Sequence, residues 1–241
     1  DIALIFVGSS STAFVRHTPE PSTSGEGMDL SDISLTGAQE QLIREVHAVG
    51  KPVIVILVAG KPFAIPWIKE NVPAILAQWY AGEQEGNSIA DILFGYVNPS
   101  GKLTFSFPQS TGHLPAYYNY LPTDKGYYKE PGTYRKPGRD YVFSNSSPLW
   151  AFGHGLSYTQ FEYQKVTTDK TLYQPHDTIC VSVRLKNTGR RTGKEVVQVY
   201  IRDIVSSVMT PVKQLKGFMK MELLPGQTRE TVTKAEIMEA S

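Results

Sequence analysis

Hydrophobic positions in the first part of the chain form short, nearly continuous runs separated by amphipathic segments. The runs are IALIFV at 2–7, VIVILV at 53–58 and AILAQWY at 74–80. Continuous apolar runs of this length are typical of strands covered on both faces, as in a parallel sheet. Residues 1–108 therefore predict the order β-α-β-α-β-α-β and an α/β fold in layers, an α/β/α sandwich with a mostly parallel sheet.

Three helices are predicted between the strands. The first covers about 36–49, where Thr36 and Gln39 have the spacing of a capping box. Its apolar stripe comprises Leu42, Ile43, Val46 and Val49. Another helix is predicted over 85–94, with Ile89, Ile92 and Leu93 pointing inward. The segment 63–71 contains a proline, which a helix tolerates only near its start.

From Phe161 onward, apolar and polar residues alternate as they do in antiparallel strands. Alternation is clearest over 179–185 and 197–201, and turn residues lie at 187–194 and 223–226. This pattern predicts a sandwich of the immunoglobulin or fibronectin type III kind. The segment has room for about five strands, where a complete sandwich of this kind has seven. The closing stretch KAEIMEAS has helical propensity and no alternation.

We expect three regions along the chain. Residues 1–112 form the α/β sandwich domain, and the tyrosine-rich segment 113–160 completes it. Residues 161–241 form a fibronectin-III-like domain that is incomplete at its C-terminus. Tyrosine-rich irregular segments line carbohydrate or peptide surfaces, or they wrap a domain, and wrapping is favoured here on pattern alone. A strand that begins at residue 2 without an initiator methionine suggests a cut at the N-terminus, and the incomplete sandwich suggests a cut at the C-terminus. We therefore expect the chain to be cut at both ends.

Composition and charge exclude several classes of protein. Hydrophobic residues make up 41% of the chain and charged residues 20%, so a packed core is expected and general disorder is not. With 24 basic and 23 acidic side chains, the formal charge is +1, which gives no reason to expect a nucleic acid partner. The longest apolar run, 52–60, is far shorter than the roughly 18–20 residues of a membrane span. No membrane insertion is expected.

Neither a cofactor nor a metal is expected from the residue types present. The single cysteine, Cys180, excludes an internal disulfide and a multi-cysteine zinc site. The five histidines are scattered, and no phosphate-binding glycine loop is present. Three serines follow the first strand at 9–11, but the G-x-S-x-G pattern of a serine hydrolase is absent.

The candidate chemistry lies in the long loop 9–35, which is rich in Ser, Thr, Gly and Pro. Glu26 has a glycine on each side, and Asp29 and Asp32 follow it. Glycine lets the backbone approach a ligand closely, and a carboxyl group with a tuned pKa can act as a general acid. A solvated loop acid is the other interpretation, and the residues alone favour it. Compact domains rarely carry so long a loop without a use for it.

Five segments carry a family likeness that runs nearly from end to end. They are GEGMDLSDISLTGAQEQLI (25–43), KPVIVILVAGKPFAI (51–65), AILAQWYAGEQEGNSIADILFGYVNPSGKLTFSFP (74–108), WAFGHGLSYTQFEY (150–163) and VVQVYIRDIVSSVMTPVKQLKGF (196–218). On these segments the chain resembles the C-terminal part of the glycoside hydrolase family 3 enzymes, the β-glucosidases and β-xylosidases. The segment HLPAYYNYLPTDKG is similar to the bacterial, periplasmic type.

The resemblance implies an architecture and a mechanism. Family members have an N-terminal barrel, then an α/β sandwich domain and often a fibronectin-III-like domain, and the chain corresponds to the last two. They hydrolyse β-glycosides with retention and without a cofactor, and the aspartate nucleophile belongs to the barrel, which this chain lacks. Glu26 in Gly-Glu-Gly-Met-Asp matches the family's acid/base glutamate. Many relatives have Arg where Leu30 stands here, a departure that bears on the loop geometry and makes Asp29 an alternative acid.

The resemblance also implies partners and a location. The substrate would be a β-linked oligosaccharide or glycoside with a terminal β-D-glucosyl or β-D-xylosyl residue, and the protein partner would be the N-terminal barrel of the same enzyme. The location would be periplasmic or secreted. We expect the chain alone to be inactive. The alternatives are a non-catalytic module that binds carbohydrate or protein, and a chain that docks to a separately encoded barrel.

Overall fold

The computed structural model describes residues 1–11, 22–25, 29–121, 135, 146–174 and 176–236. The chain forms two compact units. The first comprises Asp1–Ala90, Phe105–Ala116 and Ser147–Ala151, and the second comprises Asp91–Thr104, Tyr117–Ser146 and Phe152–Ser241. Within the described part of the chain, no helix has both the length and the apolar character needed to cross a membrane.

The first unit is built on a parallel sheet with the strand order β1-β2-β3. Its strands are β1 (Ala3–Gly8), β2 (Val53–Val58) and β3 (Ala74–Ala77). The helices are α1 (Gln39–Ala48) and α2 (Pro66–Asn71), then α3 (Glu85–Leu93), and a 3₁₀ turn lies at Thr111–His113. Ala3 pairs with Val53, and Ile54 pairs with Ala74. The predicted α/β architecture is confirmed.

The central strand has the burial that its continuous apolar run predicts. In β2, Val53, Val55 and Ile56 are fully buried. In β1, only Ile5 and Val7 are buried, whereas the alternate side chains Leu4 and Phe6 are about half exposed. The prediction that both faces are covered therefore holds for β2 and not for β1, where the face that carries Leu4 and Phe6 is exposed among the described residues.

Two details of the predicted elements differ. Helix α1 begins at Gln39, later than predicted, because the Gln39 side-chain amide donates to the carbonyl oxygen and hydroxyl of Thr36 at 3.1 and 3.2 Å and makes no capping box. After α3, the described residues contain no fourth parallel strand. They contain only an antiparallel bridge between Phe107 and Trp150. Helix α2 begins at its proline, as a helix permits.

Among its described residues, the second unit contains five antiparallel strands in two sheets, with the orders β4-β5-β8 and β6-β7. The strands are β4 (Phe161–Thr168), β5 (Thr178–Asn187), β6 (Gly193–Ile201), β7 (Gln214–Leu223) and β8 (Thr228–Glu236). Its core comprises Val181, Val183, Leu185, Val197, Met221 and Leu223. The predicted alternation and the two turns are confirmed.

The C-terminal strand departs from the local propensity of its sequence. Strand β8 continues to Glu236, so the first residues of KAEIMEAS are strand and not helix. They pair with β5, and Lys234 lies opposite Cys180. Pairing with a neighbouring strand overrides helical propensity here. Residues 237–241 lie outside the described residues.

Candidate functional site

The loops of interest leave the carboxyl edge of the parallel sheet. Strands β1, β2 and β3 end at Gly8, Val58 and Ala77, and in a parallel sheet these ends lie along one edge. Ligands of open α/β sheets bind outside this edge. The long loop that carries the predicted acids starts here, directly after β1.

Gly8 fixes the point where the long loop begins. Its N–H donates to the Gln39 side-chain oxygen at 2.7 Å, and its carbonyl oxygen accepts from the Gln39 side-chain nitrogen at 3.0 Å. A Cβ at Gly8 would lie 1.8 Å from the carbonyl oxygen of Val58, so only glycine fits. The close approach of the two strands and the glutamine contacts hold the exit of β1 in place.

The loop is anchored a first time before Glu26. The carbonyl oxygen of Ser10 accepts from the N–H groups of Thr23 and Ser24 at 2.9 and 3.2 Å. The Ser10 N–H donates in return to the Thr23 hydroxyl at 2.9 Å. Gly25 follows with a φ of 81°, in the left-handed region that glycine adopts without strain. Residues 22–25 are therefore tied to the start of the loop; we call this the first anchor.

The loop is anchored a second time after Glu26. The Ile33 carbonyl oxygen accepts from the N–H of Ala64 at 3.0 Å, and the Ile33 N–H donates to the Thr111 hydroxyl at 3.3 Å. The side chains of Ile33 and Leu35 are buried. This second anchor ties the end of the loop to the segment that follows β2.

Asp32 organises the second anchor as a charged acceptor. Its Oδ1 accepts from the N–H and hydroxyl of Ser34 at 2.9 and 2.7 Å and from the Thr111 hydroxyl at 3.3 Å. These bonds lower the pKa of Asp32, and the Ser34 hydroxyl is the largest cause. Hydrogen bonds that favour the charged form keep the group ionised near neutral pH. Asp32 is therefore unsuited to donate a proton.

The other two predicted acids are Glu26 and Asp29. Glu26 lies outside the described residues, between the two anchors. Asp29 is exposed, and Leu30 beside it is partly buried. The structure therefore shows how the loop is held on both sides of Glu26.

Sequence reasoning missed Lys61, three residues beyond β2. Its Nζ is shielded from solvent and has no hydrogen-bond partner among the described residues. The ammonium lies 4.7 Å from the centre of the Phe63 ring. Burial lowers the pKa of Lys61, and the charge of Asp32 acts in the opposite direction. In the sequence, Lys61 was indistinguishable from an ordinary loop cation, because its shielding depends on the fold.

The loop after β3 adds polar and aromatic groups to the same edge. Within the described part of the chain, both side-chain amide atoms of Gln78 are buried without a hydrogen-bond partner. Trp79 has a φ of 61° and packs edge-on against Phe105, with ring centres 5.0 Å apart. The Tyr80 hydroxyl donates to the carbonyl oxygen of Ser9 at 2.9 Å. This last bond ties the loop to the start of the long loop.

Metal-ligand chemistry has no obvious place at this edge. Across the described ranges, no group of three or more His, Cys, Asp and Glu side chains is arranged to hold a metal ion. The groups that the structure does present are hydrogen-bonded hydroxyls, a carboxylate and an ammonium. Their chemistry suits hydrogen bonding.

Comparison with known protein families identifies the family to which the chain belongs. The model of the glycosyl hydrolase family 3 C-terminal domain matches residues 1–158, more than half of the chain. The chain belongs to glycosyl hydrolase family 3. A fibronectin type III-like domain model matches residues 195–236 in addition. The family resemblance and the α/β-plus-sandwich fold expected from the sequence are both confirmed.

Relatives in the family are named for two related substrates. A β-xylosidase from Formosa agariphila is 46% identical over 207 residues, and a periplasmic β-glucosidase from Salmonella typhimurium is 42% identical over 209 residues. Each match covers 86% of this chain but only 27% of the relative. The chain therefore spans about a quarter of the length of these family 3 enzymes.

The solved structure of a β-glucosidase from Erythrobacter marinus has the same fold. It superimposes with a TM-score of 0.82 at 38% identity, over 98% of this chain and 29% of the other. The family 3 domain and the fibronectin-like domain thus correspond to one continuous part of a much longer β-glucosidase.

Proposed function

We propose that this chain supplies the acid/base loop of a retaining β-glycosidase, with Glu26 as the general acid/base and the aspartate nucleophile on a barrel domain outside the chain. The observation that carries the proposal is the pair of anchors that hold the long loop on both sides of Glu26 at the carboxyl edge of a family 3 sheet. Two anchors limit where the intervening residues can reach. Catalysis needs such positioning.

In the first step, the barrel aspartate attacks the anomeric carbon while the Glu26 carboxylic acid gives its proton to the glycosidic oxygen. The bond between the anomeric carbon and that oxygen breaks, and the alcohol leaves. In the second step, the Glu26 carboxylate takes a proton from water, whose oxygen attacks the anomeric carbon and releases the aspartate. The two carboxyl groups need to lie about 5–5.5 Å apart for this mechanism.

The described residues support Glu26 by elimination within the loop. Asp32 accepts three hydrogen bonds on Oδ1 and has a lowered pKa, so it holds no proton to donate near neutral pH. Of the three remaining acids of the loop, Glu20, Glu26 and Asp29, only Glu26 matches the family motif and has a glycine on each side. Asp29 is the alternative that the test below separates.

The names of the relatives support the proposed substrates. We propose terminal β-D-glucosyl or β-D-xylosyl residues of oligosaccharides, since the relatives include a β-xylosidase and a β-glucosidase. A periplasmic or secreted location is proposed from the Salmonella relative, which is named periplasmic. The barrel of the parent enzyme is the proposed partner, and no cofactor takes part in the proposed steps.

The test is Glu26→Gln in the parent enzyme that carries the barrel, with Asp29→Asn as the matched control. We expect kcat/KM for a disaccharide to fall by roughly 10²–10⁴-fold, since general acid catalysis is lost. Formation of the glycosyl-enzyme from a dinitrophenyl glycoside should fall far less, because that leaving group needs no proton. Asp29→Asn should keep most of the activity. The reverse pattern would make Asp29 the acid, and full activity in both variants would refute the proposal.

A further inference from the structure

Lys61 carries an ammonium group that is shielded from solvent and makes no described hydrogen bond that would stabilise the fold. Its Nζ has no acceptor among the described residues, and its nearest described stabilising contact is the Phe63 ring, whose centre is 4.7 Å away. A shielded charge without a hydrogen-bond acceptor costs free energy, and a cation–π contact offsets only part of that cost. A lysine that served only stability would be better replaced by an apolar residue at this position.

The second anchor of the long loop is made to Ala64, three residues after Lys61. The Ala64 N–H donates to the Ile33 carbonyl oxygen at 3.0 Å, which brings the segment 29–35 alongside the residues that follow β2. Asp32, in that segment, is the anion whose charge acts on Lys61. The two do not form a direct ion pair among the described residues, so the attraction acts through space and not through a contact.

We propose that Lys61 is a positioning residue for the acid/base loop, whose ammonium holds the segment 29–35 against the carboxyl edge of β2 by attraction to Asp32. The inference rests on the proposed function, since that function places the proton donor on the same loop. The contributions are unequal. The hydrogen bonds from Ser34 and Thr111 orient the Asp32 carboxylate, and Lys61 sets the distance between the loop and the sheet.

If Lys61 has this role, its removal should lower activity without lowering the stability of the chain. Burial lowers the pKa of Lys61, so at neutral pH the charged form opposes folding. Removal of the ammonium should therefore leave the stability of the chain unchanged or raised, while the loop loses its hold. Residues kept for function at a cost to stability behave in this way.

The first test measures Lys61→Met in the 241-residue chain. We expect the urea midpoint to stay or rise, while the amides of Ile33 and Ser34 exchange hydrogen faster and that of Val55 in β2 does not. The matched control is Lys69→Met. The Lys69 Nζ donates to the Leu149 carbonyl oxygen and lies 5.5 Å from the Trp150 ring centre, so its loss should lower the midpoint. A midpoint lowered as far by Lys61→Met, or unchanged exchange at Ile33 and Ser34, would overturn the proposal.

The second test measures the same variant in the parent enzyme that carries the barrel. Loss of positioning should lower kcat about tenfold or more, with KM changed much less, and Lys61→Arg should restore part of the loss. An unchanged kcat would overturn the proposal. If Glu26→Gln keeps full activity, the proposed function fails, whereas the hydrogen-exchange result still decides whether Lys61 holds the loop.

Discussion

Three side chains in or near the long loop differ in their environments. Asp32 is held as a carboxylate by Ser34 and Thr111, which suits a structural anchor and not a proton donor. Glu26 has no such role assigned and has the glycine neighbours that permit close approach to a ligand. Lys61 carries an ammonium that is shielded and has no hydrogen-bond partner among the described residues. The three residues differ in environment, so they differ in chemistry.

Replacement of Asp32 by Asn should change how stability depends on pH. The pKa of Asp32 is lowered in the folded chain, so its contribution to stability is fully present above the unfolded pKa of about 3.9. That contribution is lost as the pH falls through the folded pKa. In urea titrations at pH 7 and pH 3, we expect the variant to be less stable than the wild type at pH 7 and the difference to shrink at pH 3.

Ser34→Ala provides the control for this experiment. The Ser34 hydroxyl is the largest cause of the lowered pKa, so its removal should reproduce part of the effect while the carboxyl remains. If the wild type and Asp32→Asn lose stability in parallel between the two pH values, the hydrogen bonds of Asp32 do not stabilise the folded loop.

At the residue scale, Glu26 was predicted from the sequence and stays a prediction, whereas Lys61 was missed for a physical reason. Glycines beside an acid are visible in the sequence, and the family motif is local. The shielding of the Lys61 Nζ is a property of the folded chain and not of the residues beside it in the sequence. No local pattern distinguishes such a lysine from a solvated one.

At the scale of elements, the predicted bounds were accurate where the local hydrophobic pattern alone determines the helix or strand. The central strand β2 has the predicted bounds Val53–Val58, and α3 ends one residue before the predicted Phe94. The predicted start of α1 was wrong, because the Gln39 side chain bonds Gly8 and Thr36 and does not form a capping box. The helical propensity of KAEIMEAS is overridden at Lys234–Glu236 by pairing with β5. Errors thus concentrate where a distant partner decides the structure.

Asn187 joins the ends of three segments in the second unit. It is fully buried, and its Oδ1 accepts from the Thr159 hydroxyl at 2.7 Å and the Gly189 N–H at 3.1 Å. Its Nδ2 donates to the carbonyl oxygens of Arg191 and Leu223 at 2.8 and 3.0 Å. All four of its hydrogen-bonding positions are therefore used, which fixes the turn between β5 and β6.

Replacement of Asn187 by Ala should destabilise the chain by about 2–4 kcal/mol, because several buried polar groups lose their partner at once. Urea unfolding measures the change. Asn71→Ala is the matched control, since Asn71 is exposed and makes one described side-chain bond, to the Trp67 carbonyl oxygen. We expect that variant to lose less than about 1 kcal/mol. A similar small loss for Asn187→Ala would show that the turn is held by other contacts.

At the scale of the whole molecule, the chain belongs to glycosyl hydrolase family 3 and matches only part of the length of its relatives. It covers 27% of the β-xylosidase and β-glucosidase relatives and contains the family 3 and fibronectin-like domains. A retaining mechanism needs two carboxyl groups, and the proposed site takes one from this chain and one from the barrel. The sequence predicted this division through the family likeness alone, since the partner's residues are not part of the chain.

The most direct test of the divided site is hydrolysis of aryl β-glucoside and aryl β-xyloside by the purified 241-residue chain. The same chain with Glu26→Gln serves as the blank. We expect no turnover above the blank, because without a nucleophile no glycosyl-enzyme forms. Turnover that Glu26→Gln abolishes would contradict the division. It would show that a second catalytic carboxylate lies within these 241 residues.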